Sequence, residues 1–143
     1  MNHPYINWLA VLVAGVVIFI LGGLWYSPAL FSKRWIALQG RTEEQMRADA
    51  ASANMPVMYA SVFLCGLITA AVMAIIIGHI AGQMDMNAGH GAIIGFTCWL
   101  GFAATTSYGS YLFSMKPRQL WLIDSMYNLV SFVLAGIILA VWR

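Results

Sequence analysis

Charge is what this sequence has least of. Its 143 residues include only seven Lys or Arg and five Asp or Glu, 8% of the chain, where soluble domains carry about a quarter. So little charge excludes an ordinary soluble domain. A net charge of +2, scattered along the chain, also excludes nucleic acid as a partner, because phosphate backbones call for clustered Lys and Arg. Cysteine is equally sparse: Cys65 and Cys98 both fall inside apolar runs, which leaves neither a disulfide framework nor a CxxC redox pair. No basic residue precedes the first apolar run, and no small-residue cleavage site with a soluble domain after it follows. These absences argue against a cleaved signal peptide and for a retained first helix. The chain also lacks a nucleophile–base–acid set, a phosphate-binding glycine loop and a metalloprotease helix motif, so no catalytic residue is assigned and a non-enzymatic role is expected.

What is present is hydrocarbon, 62% of the residues. Four runs are long enough to cross an apolar core about 30 Å thick, which takes roughly 20 helical residues: about 5–26, 57–81, 92–113 and 120–142. The expected fold is therefore all-α, a single transmembrane domain over 1–143 forming a multi-pass four-helix membrane bundle, with a polar loop at about 27–55. The first boundary is the sharpest. Gly22 to Trp35 ends an apolar run with Trp25 and Tyr26, breaks the helix at Pro28, and sets Lys33 and Arg34 beside Trp35. Interfacial aromatics, a helix breaker and cytoplasmic cations mark the exit from a bilayer.

Within the polar loop, Thr42 and Gln45 have capping-box spacing, with Glu43 and Glu44 in the first turn. They predict a short amphipathic cytoplasmic helix of about ten residues from Glu43. Six of the seven basic residues lie in the first and third connections, the seventh being Arg143. The positive-inside rule then predicts cytoplasmic first and third loops, with both termini outside.

Small residues recur every fourth position in the second run (Gly66, Ala70, Ala74, Gly78, Gly82) and at the start of the third (Gly91, Gly95). Such stripes let membrane helices approach closely, so the second and third helices are expected to form the tight central pair. Gly101, Thr105 and Gly109 repeat the spacing. Asn7, Thr105 and Thr106 are expected to hydrogen-bond between helices. A weak echo links Tyr26 to Ser32 with Tyr108 to Ser114, as two parallel hairpins would produce.

Asp124 is the one acid inside an apolar run. Two readings stand: an interfacial acid held by the helix dipole and Lys116 or Arg118, or, with Asn128 and Ser131 on the same face and Tyr127 beside it, a polar lining for an ion, proton or headgroup. On the expected outer face lie His3, His79 and His90, with Met84 and Met86 between the last two. Imidazole and thioether ligands suit copper, which makes an outer-face copper site the alternative to a chain without cofactor.

Ile6-Asn7-Trp8, Gly23-Leu24-Trp25-Tyr26-Ser27-Pro28 with Leu30-Phe31 and Trp35, Trp99-Leu100-Gly101-Phe102 with Thr105-Thr106, Tyr111-Leu112-Phe113 and a last helix ending near Trp142 together resemble the domain-of-unknown-function 1761 family of small bacterial integral membrane proteins. The resemblance covers nearly the whole chain. It implies a four-helix domain of the bacterial cytoplasmic (inner) membrane with no assigned activity, cofactor or substrate. The leading expectation is a non-enzymatic membrane module, embedded in lipid, that self-associates as a homo-oligomer or packs with another membrane protein. A small transporter or channel subunit lined by Asp124 and Asn128 is the alternative, ahead of a membrane enzyme acting on a lipid or quinone.

Overall fold

A computed structural model describes residues 5–143, and every regular element among them is helical. Helix α1 spans Trp8–Trp25. It starts three residues later than its apolar run because Asn7 caps it: the side-chain oxygen accepts from the N–H groups of Leu9 (3.0 Å) and Ala10 (3.2 Å). Asn7 is thus an N-cap, not the inter-helix partner expected, since the first turn of a helix leaves donors that a nearby Asn can satisfy. The polar loop holds α2 (Ser32–Leu38) and α3 (Glu43–Ser52). Between them the chain turns at Gly40, whose φ of +69° is a left-handed conformation suited to glycine. Helix α3 matches its predicted length and start, and both halves of the Thr42/Gln45 capping box are formed.

Helix α4 (Met55–Ala81) is capped by Asn54 and carries Pro56 in its first turn, where a missing N–H costs nothing. The expected third span is not one α-helix. Ala88–Cys98 forms α5, Trp99–Ala104 is a π-helical segment, and Thr105–Phe113 forms α6, although the backbone stays right-handed helical at Cys98, Trp99 and Thr105. Thr105 and Thr106 do not bridge helices as expected; their hydroxyls donate to the Gly101 (2.9 Å) and Phe102 (2.6 Å) carbonyls of their own helix, where the widened turn needs partners. Helix α7 runs Arg118–Val141. Three helices, α1, α4 and α7, are long and apolar enough to cross a membrane.

The core lies where these three meet. Ala10, Ala14 and Ile18 of α1 pack with Ala70, Met73 and Ile77 of α4 and with Ala135 and Leu139 of α7. The small-residue stripe of α4 serves this contact: Gly66 sits against Ile18 and the Gly15 carbonyl, and Ala70 and Ala74 are buried. Gly78 is half-buried, and Gly82 lies past the helix as its exposed cap.

The close pairing therefore differs from the one the stripes predicted. Gly91 and Gly95 of α5 turn to α7 rather than to α4: a Cβ at Gly91 would collide with the Gly136 carbonyl, one at Gly95 with the Phe132 carbonyl, and one at Gly136 with the Gly91 carbonyl. Gly136 presents the complementary bare backbone, whereas Gly66 of α4 faces Ile18 and Gly15 of α1. The result is two hairpins, α1 with α4 and α5–α6 with α7, joined through α7, while α4 and α5 make little contact.

Candidate functional site

Asp124 stands in the second turn of α7, and the ends of the other elements converge on it. The boundary residue after α1 supplies Tyr26, whose hydroxyl donates to Asp124 Oδ1 at 2.6 Å. Helix α2 supplies Trp35, whose indole Nε1–H donates to the same oxygen at 2.9 Å. Helix α6 supplies Tyr111, whose hydroxyl donates to Oδ2. One carboxylate is thus held by three aromatic donors from three elements.

The surroundings are aromatic as well. The Tyr26 ring lies edge-on to Trp35 (5.5 Å between centroids) and to Tyr127 (5.6 Å). Two indoles reach backbone carbonyls of α7, Trp25 that of Ile123 (3.1 Å) and Trp99 that of Ser125 (2.9 Å). Trp121 donates to Ser107 (2.9 Å) under the ring of Tyr108. Arg34 donates to Gln119 at 3.1 Å, a second tie between α2 and the start of α7.

The electrostatics follow from the donor count. A carboxylate removed from bulk water costs several kcal/mol unless its oxygens are occupied, and charge-assisted hydrogen bonds offset that cost better than neutral ones. Neither Lys116 nor Arg118 pairs with Asp124, as one reading expected. Lys116 lies 5.4 Å from the centre of the Tyr111 ring, and the ion pair among the described residues is Arg41 with Asp49. Phenols and indoles take the place of a cation because they can be buried with their donors aimed inward.

Of Asn128, Ser131 and Tyr127, none bonds to the Asp124 carboxylate. Asn128 donates to the Asp124 carbonyl one turn back (3.1 Å), Tyr127 donates across to the Ile18 carbonyl of α1 (3.2 Å), and Ser131 is buried with no hydrogen-bond partner among the described residues. The sequence reading missed Tyr26, Trp35 and Tyr111 as partners of Asp124, although all three stand in the stretches that carry the family resemblance.

The family described as "Protein of unknown function (DUF1761)" matches residues 9–140. The chain belongs to this family. No curated protein and no solved structure matches it. In this DUF1761 member the match takes in every element that reaches Asp124.

Of the expected copper ligands in this DUF1761 chain, His3 lies outside the described residues. His79 and His90 each engage a backbone carbonyl through Nδ1, that of Ile75 (2.8 Å) and of Asp85 (3.0 Å). Met84 is exposed, whereas Met86 packs against the core. No group of three or more His, Cys, Asp or Glu converges among the described residues.

Proposed function

We propose that this chain is a non-enzymatic membrane module that assembles with a second copy of itself, with Ala88–Phe113 serving as a fourth crossing and both termini outside. The observation that carries this reading is an open, mostly apolar cleft of about 400 Å³, lined by Ile68, Val72 and Met73 of α4, Cys98 at the end of α5, Phe102 of the π-helical segment and Phe132 of α7. Phe102 is 72% exposed. An exposed ring that forms part of an open apolar cleft suits a two-fold interface, in which the Phe102 of each copy packs against the cleft of the other. Lipid gives little hydrophobic drive for helix association, so the gain comes from filling a poorly packed recess with well-matched atoms.

The Asp124 clasp supports the same reading from the other side. Its oxygens already hold three donors, which fits an acid that fastens α2 and α6 to α7 better than one that awaits an ion. Light scattering of the detergent-solubilised protein tests the proposal: the parent should have twice the mass of one chain, and Phe102→Ala should shift it to one. A monomeric parent overturns the reading.

A further inference from the structure

The two short helices of the polar loop enclose a groove that the clasp does not use. Helix α2 turns Trp35 inward to Asp124 and Arg34 to Gln119, so its Lys33 and Ile36 face α3. Helix α3 answers with Met46, Arg47 and Ala50. The groove between them measures about 400 Å³, and its apolar lining is Ile36, Met46, Ala50 and Pro28, which lies three residues beyond the end of α1. Lys33 and Arg47 also line it, with a single acid, Glu43.

Position and charge point to one kind of occupant. The groove opens beside Pro28, a few residues after the apolar α1 ends at Trp25, which is headgroup depth for a helix that crosses a bilayer. The other two cations of the loop are already engaged, Arg41 with Asp49 and Arg34 with Gln119. Lys33 and Arg47 have no ion pair among the described residues. We infer that the α2–α3 groove binds an anionic phospholipid, its phosphodiester between Lys33 and Arg47 and its upper acyl chains along Ile36, Met46 and Ala50. Apolar and cationic lining together match the two halves of such a lipid.

The test uses the full chain in neutral detergent, titrated with phosphatidylglycerol or phosphatidylcholine and read by native mass spectrometry. One Lys or Arg near an anionic headgroup is worth about a fivefold change in affinity. The parent should therefore prefer phosphatidylglycerol, Lys33→Gln and Arg47→Gln should each weaken that preference about fivefold, and Lys33→Arg should keep it. Arg41→Gln removes the same charge from the same arm outside the groove and should leave the preference unchanged. Circular dichroism confirms that each variant retains its helix. Equal affinity of the parent for both lipids would mean a neutral lipid or a protein segment fills the groove, and would overturn the inference. So would an equal loss in Arg41→Gln, which would mark a diffuse field rather than a site.

Discussion

Tyr26 and Asp124 lie 98 positions apart in the chain and are joined by a 2.6 Å hydrogen bond, the phenol donating to the carboxylate. That bond ties the end of the first long apolar helix to the start of the last. Because Trp35 shares the same oxygen and Tyr111 takes the other, the carboxylate acts as a common acceptor for otherwise separate elements. Its chemistry is set by how many donors it can hold.

Replacing Asp124 separates charge from hydrogen-bonding capacity. In Asp124→Asn the amide oxygen still accepts from Tyr26 and Trp35, and the amide N–H donates to Tyr111, whose hydroxyl can reverse its role. The variant should fold and lose about 1–2 kcal/mol, the difference between charge-assisted and neutral bonds. Asp124→Leu leaves all three donors unanswered and should cost about 3 kcal/mol or more. Thermal unfolding in detergent checks the order; equal stability of the two variants would contradict it.

Trp35→Phe keeps an aromatic side chain and deletes the indole donor that fixes α2. The membrane helices should unfold at nearly the parent temperature, while limited proteolysis between Ser27 and Asn54 becomes faster. Unchanged cleavage would mean that Arg34 and Gln119 alone hold the arm.

Glycines of one chain should respond in opposite ways to the same methyl group. At Gly91, Gly95 and Gly136 a Cβ meets a backbone carbonyl across the α5–α7 contact, and each Ala variant should lose about 1–3 kcal/mol through overpacking. At Gly101 and Gly109 an added Cβ meets nothing within 4 Å. Ala there should be neutral, or gain up to about 1 kcal/mol of helix propensity. Yields and melting temperatures of the five variants check the division.

Topology reporters test the orientation. Fusions after Arg143 should report the outer side, and insertions within α3 the cytoplasm, as the placement of six basic residues in the first and third connections predicts. A cytoplasmic signal at Arg143 would overturn either the orientation or the crossing by Ala88–Phe113, and the α3 insertion decides between them: α3 outside inverts the orientation, and α3 in the cytoplasm removes that crossing.

Much of the architecture was legible because it rests on local signals. Apolar length located α1, α4 and α7, and the Thr42/Gln45 spacing located α3 to the residue. Helix α2 was not legible, since seven residues with no capping side chain carry no periodic signal; its own Trp35 and Arg34 hold it to Asp124 and Gln119 of α7. The π-helical segment was equally hidden, because its residues read as ordinary apolar helix. The pairing of α5 with α7 depended on Gly136, a lone glycine within an aliphatic run, whose meaning appears only when Gly91 lies opposite. Asp124 stood out as an acid among apolar residues, but its partners are distant in sequence and local pattern cannot join them.

Self-association is tested most directly in a bilayer. With Cys65→Ser and Cys98→Ala removing the native thiols, a single spin label at Phe113→Cys, a 92% exposed position, reports the distance between copies by pulsed electron resonance in dilute liposomes. A two-fold assembly predicts one resolved inter-label distance that disappears in Phe102→Ala. A featureless decay, identical with and without Phe102, would contradict it.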